Sequence, residues 1–303
     1  MPEFKLEDGL ICYNWMPLVA DLCIDYPPDF YTNWGVESLH DKELPQIEDF
    51  ENMEDNSIVF AKTDFIINGE FQETFLPHIK KPFKLVTAVS SYQIGRDGEN
   101  PNAYKDILEN EYLQEWFCTN PPNEEHEKIH ALPIGFAEPN RLSSNQMVLK
   151  KLRRERKPFE EKANVFFIPW HDQSTNPERH KIIKELQQNE FVHAMAGKTS
   201  SEPYMELMGA YRFTICVQGS GNDTHRLYES LLMGCVPITI DCTVKRFFDE
   251  YNLPGYFVKS WDEINEDFYN EVSSKEYDFS NVEKFLQAQT HANKIINYDT
   301  VAV

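Results

Sequence analysis

Gly219, Ser220 and Gly221 stand just ahead of Thr224, His225, Arg226 and Glu229 in the run FTICVQGSGNDTHRLYESLLMGCVPITID, residues 213–241. These residue types in this order suit a nucleoside diphosphate. An apolar run ends, the glycines make a turn, and a helix begins near Asp223 or Thr224, both good N-cap residues. The start of a helix presents N–H groups and positive potential, which favour phosphate. His225 and Arg226 add donors and a fixed positive charge within the first turn. Glu229 follows Arg226 by three residues and shares its helix face, where a carboxylate can accept hydrogen bonds from ribose hydroxyls. Each piece has a plain structural reading: a Gly-x-Gly that only turns the chain, and an Arg226–Glu229 ion pair that only stabilises a helix. The following Gly234-Cys235-Val236-Pro237-Ile238 makes the combined pattern more specific than its parts.

Positioning this segment requires elements on both sides of it. Residues 163–168, 191–195, 213–217 and 236–240 read as buried strands, and residues 177–188, 201–211 and 223–233 as helices between them. Pro177 suits the first turn of one helix and Gly234 closes another. Strand and helix alternating at this spacing predict an α/β fold with a doubly wound parallel sheet. The first half is less regular. Residues 57–61, 84–89 and 128–132 read as strands, and Tyr104, Ile107, Leu108, Tyr112 and Trp116 have helical spacing over 103–117. The basic stretch KKLRRERKPFEEK at 150–162 reads as a linker, or as a solvated helix followed by a turn, and either suits a boundary. It divides the chain into two domains, residues 1–158 and 159–280. Residues 281–303 follow, with one helix over 282–296 expected to cross back to the first domain.

Ligands in such sheets bind beyond the carboxyl ends of the strands, which brings further residues into consideration. Trp170 follows the first strand of the second half and borders a nucleotide or simply covers core. Arg179 reaches phosphate or sugar, or is solvated. Ser201 and Tyr204 follow the second strand, where a nucleobase would lie. For a general base, Asp64 after the apolar run 58–61 is the first choice, with Asp97 and His78 as alternatives.

Charge and composition exclude several classes. A net charge of −21 argues against a nucleic-acid partner or an anionic membrane surface, both of which need an extended basic face. No apolar run reaches the ~18 residues of a membrane span. The opening residues Met1 to Asp8 carry neither the basic nor the apolar region of a signal peptide, so a cytoplasmic location is expected. The six cysteines have no metal-like spacing and read as free thiols. The sequon Asn222-Asp223-Thr224 falls inside the phosphate segment, where a glycan would obstruct it. No Asp-x-Asp pair and no GxxxxGK[ST] loop occurs, so neither a metal-dependent sugar-nucleotide site nor a P-loop kinase is expected.

The run G-x-G-x-D-T-H-R-x-x-E-x-L-x-x-G-x-x-P-I resembles the donor-binding segment of exostosin-like (GT47) glycosyltransferases. Leu253-Pro254, Trp261-Asp262-Glu263-Ile264, Phe60-Ala61-Lys62-Thr63-Asp64, Trp116-Phe117-Cys118-Thr119-Asn120 and Leu132-Pro133-Ile134-Gly135 extend the likeness. The chain looks most like the small soluble enzymes of this kind found in large algal DNA viruses. The resemblance implies a GT-B fold, two Rossmann-like doubly wound domains facing a cleft, and inverting transfer of a sugar to a glycan hydroxyl. It also implies acceptor binding by residues 1–158, nucleotide-sugar binding by 159–280 with Arg226 as a catalytic group, and a UDP-linked donor as substrate, with xylose as the first expectation. No cofactor or metal is implied. A GDP-fucose enzyme is the alternative, although Ser230 follows Glu229 where those enzymes carry Lys. A non-catalytic nucleotide- or glycan-binding protein is the third reading. The oligomeric state is left open.

Overall fold

The computed structural model describes residues 9–12, 15–25, 44–137 and 145–298. The opening residues read for a signal peptide lie outside the described residues. Contacts divide the chain into two compact units, Met1–Ile134 with Ala288–Val303, and Gly135–Gln287.

In the first unit, β1 (Leu22–Ile24), β2 (Ser57–Lys62), β3 (Phe83–Ala88), β4 (Leu113–Cys118) and β5 (Ile129–Ala131) form a parallel sheet in strict chain order. Three short helices, α1 (Ile47–Asn52), α2 (Thr63–Ile67) and α3 (Tyr104–Leu108), accompany it. Alternate strand residues Val59, Ala61, Phe83, Leu85 and Cys118 share a core with Phe50, Phe65, Phe71, Phe75 and Ile107. That alternation is the two-residue period of a strand.

One expected element is corrected here. The helical pattern over 103–117 is two elements, α3 and β4, separated by a turn. The Asn110 side chain accepts from the Tyr112 N–H at 2.9 Å, and its carbonyl from the Leu113 N–H at 3.2 Å. Trp116, Phe117 and Cys118 are all fully buried, which a strand inside a sheet permits and an amphipathic helix does not. Short apolar runs leave this choice ambiguous in sequence.

The second unit contains α4 (Gln146–Glu155), β6 (Ala163–Ile168), α5 (Glu178–Leu186), β7 (Val192–Ala194), α6 (Ser201–Met208), β8 (Tyr211–Ile215), α7 (His225–Leu232), β9 (Val236–Ile240), α8 (Lys245–Tyr251), β10 (Tyr256–Val258), α9 (Glu266–Ser273) and α10 (Val282–Phe285). Its strands are parallel in the order β10-β9-β8-β6-β7. The chain starts at β6, steps to β7 on one side, then crosses to β8 and runs outward on the other. The carboxyl ends of β6 and β8 therefore flank a topological switch point, the place where open α/β sheets bind ligands. Phe166, Phe213, Val236, Ile238 and Val258 form the core, with Phe268 and Tyr269 of α9 packed against it.

The chain divides after Ile134, earlier than the basic stretch at 150–162 suggests. Much of that stretch is α4 rather than a linker. Leu149 and Leu152 are buried on one stripe, and the Asn145 side chain caps the N–H groups of Met147 and Val148. The single helix expected over 282–296 is also corrected: α10 ends at Phe285, and α11 (Ala288–Ile296) begins anew. The Ala288 N–H, which a continuous helix would bond internally, donates instead to the Gly9 carbonyl at 2.8 Å. Residues 288–303 group with the first unit. There the buried Lys84 of β3 sends Nζ to the carbonyls of Ile295 and Ile296, at 3.4 and 3.5 Å, placing a cation at the negative end of α11. All six cysteines are free thiols. Among the described residues no helix is long and apolar enough to cross a membrane.

Candidate functional site

Helix α7 follows β8 across the loop 216–224, beside the switch point. Thr224 is its N-cap, in extended conformation, and its side chain makes no capping hydrogen bond. The other end of α7 is closed by Gly234 at φ 67°, a left-handed conformation that favours glycine. Two cations serve the last carbonyls there. Arg156 Nη1 donates to the Leu232 oxygen at 2.6 Å, and the buried Lys162 Nζ donates to the Met233 oxygen. Positive charge at the carbonyl end complements the helix dipole, whose positive end lies at residues 224–226. The basic stretch before β6 therefore braces this helix. Leu227, Tyr228, Leu231 and Leu232 are buried and seat α7 against the sheet.

Arg226 is held on three sides. Its Nη1 donates to Glu229 Oε2 at 2.6 Å and its Nη2 to the Trp170 carbonyl at 3.2 Å, and its plane lies 4.8 Å from the centre of the Tyr204 ring. Glu229 is 3% exposed and accepts a second bond, from Tyr204 Oη at 3.0 Å. Burial alone would lower the Arg226 pKa, but the Glu229 carboxylate overrides it and holds the pKa above the ordinary value. Burial, then Glu229, push the Tyr204 hydroxyl well up, so it remains a donor. The guanidinium is thus a fixed cation. Its Nε–H is buried and has no acceptor among the described residues, and an unmet buried donor of this kind costs about 1–3 kcal/mol.

Arg179 plays a different part. Its Nε donates to the Gln218 carbonyl at 2.8 Å and Nη2 to the Val217 carbonyl at 2.9 Å. Its Nη1 donates to the Asp172 carbonyl at 2.7 Å and to Thr175 Oγ1 at 2.6 Å. Four donated bonds join the loop after β6 to the loop after β8. Asn176 Nδ2 to the Gln218 carbonyl and Ser220 Oγ to the Thr175 carbonyl, at 3.0 and 3.2 Å, add to the stitching. Gly219 makes room for it: a Cβ there would lie 3.1 Å from Arg179 Nη2. Burial, then the charge of Arg226, lower the Arg179 pKa to about 10, so it stays charged at neutral pH.

The remaining expected residues are placed as follows. Gly221 is buried in the loop, and His225 Nδ1 lies 2.7 Å from the Gly135 carbonyl. Trp170 is half-buried, with Lys198 Nζ 5.2 Å from its ring centre. Ser201 opens α6, and Tyr204 lies three residues on, under Arg226. Arg226, Glu229, Tyr204 and Trp170 are therefore brought together, and Arg179, Gly219 and Ser220 form the loop brace beside them. Sequence reasoning passed over Asn176, Gln218 and His171 as site residues. Their signal is position alone, since each lies just beyond the carboxyl end of β6 or β8.

In the first unit Asp64 stands in the first turn of α2, just after β2, 3.7 Å from Lys62 Nζ. The buried Oδ2 is the atom that faces Lys62, and among the described residues no donor comes within hydrogen-bond distance of it. Asp97 instead accepts from Arg96 at 2.8 and 2.7 Å and from the Gln93 N–H at 2.8 Å, which is a turn-closing role. His78 pairs with Glu51 at 3.0 Å on an exposed surface. The next two strands across the sheet end in strained backbone: Val89 after β3 has φ 61° and Asn120 after β4 has φ 46°. A β-branched residue there is uncommon, and such strain persists where surrounding structure enforces it. Among the described residues no group of three or more His, Cys, Asp or Glu is arranged to hold a metal.

The model of the exostosin GT47 domain matches residues 113–264 of the chain. No curated protein matches it. Among solved structures the chain is similar to the UDP-GlcNAc 2-epimerase from Methanocaldococcus jannaschii, at 10% identity over 80% of this chain and 76% of that one, with a TM-score of 0.33.

Proposed function

Because the chain belongs to the exostosin GT47 family of glycosyltransferases, we propose that it moves a sugar from a UDP-linked donor to a hydroxyl of a glycan acceptor, with inversion and without a metal. The observation that carries this reading is Arg226, a cation fixed by Glu229, Trp170 and Tyr204, with a buried Nε–H that lacks an acceptor. A diphosphate oxygen supplies that acceptor. As the bond from the anomeric carbon to the diphosphate breaks, negative charge grows on the leaving oxygen. A preorganised guanidinium and the start of α7 stabilise that charge without reorganising. Glu229 Oε2 is already engaged by Arg226 and Tyr204, which leaves its Oε1 for a ribose hydroxyl.

Asp64 is proposed as the base, a carboxylate that takes the proton of the acceptor hydroxyl. Metal independence is supported by the missing Asp-x-Asp pair and by the cation already present at the phosphate position. Xylose is the proposed donor sugar, on the strength of the resemblance to small enzymes of this family.

A panel of UDP, GDP and UDP-xylose, read by thermal shift and by transfer in EDTA, tests this. UDP and UDP-xylose are expected to stabilise the protein by about 2.7 kcal/mol at ~100 times Kd, with GDP far weaker. The product formed in EDTA should carry the opposite anomeric configuration by NMR. Stabilisation by GDP alone overturns the donor assignment, and turnover restored only by Mn²⁺ or Mg²⁺ overturns the metal-independent mechanism.

A further inference from the structure

We propose that His171 reads a hydroxyl group of the bound nucleotide sugar, through the lone pair on its Nε2; this rests on the donor-site reading above. His171 lies three residues beyond the end of β6, at the switch point, and is 3% exposed. Its Nδ1 is 2.6 Å from the Pro169 carbonyl. A carbonyl oxygen only accepts, so Nδ1 carries the hydrogen, and in the neutral ring Nε2 is left as an acceptor. Nε2 is buried and has no hydrogen-bond partner among the described residues.

The residues on either side tie this ring to the phosphate position. The Trp170 carbonyl accepts from Arg226, and the Asp172 carbonyl accepts from Arg179. His171 is thus bracketed by the two guanidiniums of the site, yet neither donates to Nε2. Arg179 spends four donated bonds on the loops, and Arg226 gives its Nη atoms to Glu229 and Trp170. Burial, then the charges of Arg226 and Arg179, lower the His171 pKa to about 3, so the ring stays neutral wherever an enzyme of this kind works.

The chemistry of an orphaned lone pair selects its ligand. A phosphate oxygen also offers only lone pairs, and two acceptors repel. A hydroxyl can donate to Nε2, and the donor substrate has hydroxyls on both the ribose and the transferred sugar. A polar site built to bond a hydroxyl discriminates strongly against an analogue that lacks it, because its own group is then left unmet. His171 therefore acts as a specificity residue beside the Arg226 anion position.

Titration calorimetry with UDP, 2′-deoxy-UDP, 3′-deoxy-UDP and UDP-xylose, on the full chain and on His171→Ala and His171→Gln, tests this. His171→Ala should weaken the hydroxyl-bearing ligand about five- to tenfold. His171→Gln, whose side-chain oxygen can accept near the same position, should restore part of that. If UDP weakens and one deoxy analogue does not, the hydroxyl is the ribose's. If UDP is unchanged and UDP-xylose weakens, it belongs to the transferred sugar. Either result supports the assignment. Equal weakening of all four ligands marks a purely structural histidine and overturns it, as does no weakening of any. Failure of the unaltered chain to bind UDP or UDP-xylose overturns the donor-site reading, and this inference with it.

Discussion

Each unit is built on five parallel strands, but the strands are ordered differently. In the first unit β1 to β5 follow one another across the sheet, so among the described strands nothing reverses. In the second, the order turns back at β6, and the loops after β6 and β8 part around a switch point. The functional residues follow that difference. In the second unit Arg226, Glu229, Tyr204, Trp170 and His171 gather at the switch point, fixed by bonds among themselves and by the Arg179 brace. In the first unit no crevice is dictated by strand order. The carboxyl edge is marked instead by local chemistry: Asp64, whose buried Oδ2 lies 3.7 Å from Lys62 Nζ, and strained backbone at Val89 and Asn120. Topology places one site, and individual residues place the other.

The sharpest way to break this contrast is Asp64→Asn. If the first unit supplies the base, kcat should fall by about 10²–10⁴-fold while the Kd for UDP holds steady. A normal kcat would remove Asp64 from the chemistry and leave the first unit's edge without its assigned carboxylate. Arg226→Ala tests the opposite side. It removes a charge-assisted bond worth about 1.5–3 kcal/mol from donor binding, and turnover should fall further than affinity. Arg226→Lys should recover only part, because an ammonium cannot reproduce the planar fork. Wild-type transfer by a folded Arg226→Ala chain would move the phosphate site elsewhere.

Gly98→Ala probes the packing of the first unit. Gly98 has φ 93°, and a Cβ there would meet the Ile67 carbonyl oxygen at 2.4 Å. About 3 kcal/mol of destabilisation is expected in urea unfolding, with nucleotide affinity unchanged. A fall in UDP affinity instead would show that the first unit's packing bears on the second unit's site.

The smallest expected effect concerns pH. Folding lowers the His171 pKa from an ordinary 6.5 to about 3, so the unfolded chain binds more protons between those values. The contribution is present above about pH 6.5 and is lost as pH falls toward 3. At pH 5, 1.5 units below the ordinary value, this amounts to about 2 kcal/mol. His171→Gln removes the titration, so the stability gap between it and the unaltered chain should shift by about that much between pH 7.5 and 5. A gap independent of pH would mean that the ring is solvated, and would weaken the contrast between a fixed second site and a looser first edge.

The alternation of strands and helices over 163–240 was legible because each element is local: a buried run, a helical stripe and a closing glycine need only neighbouring residues. The Arg226–Glu229 pair was legible for the same reason, since the two are three residues apart on one helix. Local pattern failed where short apolar runs suit either state, as at 103–117, and where a distant carbonyl intervenes, as Gly9 does at Ala288. It also left the basic stretch at 150–162 open between a linker and a solvated helix. Arg156 and Lys162 reach the end of α7 more than seventy residues away, a contact no periodicity encodes. The sequence by itself determined the strand–turn–helix and the charges at its start, because these follow from residue type and spacing along one element. Only the tertiary structure decided which lone pair and which N–H remain unmet. Whether His171 Nε2 or Arg226 Nε finds a partner depends on groups that other strands bring near, and those are set by the order in which the strands pack.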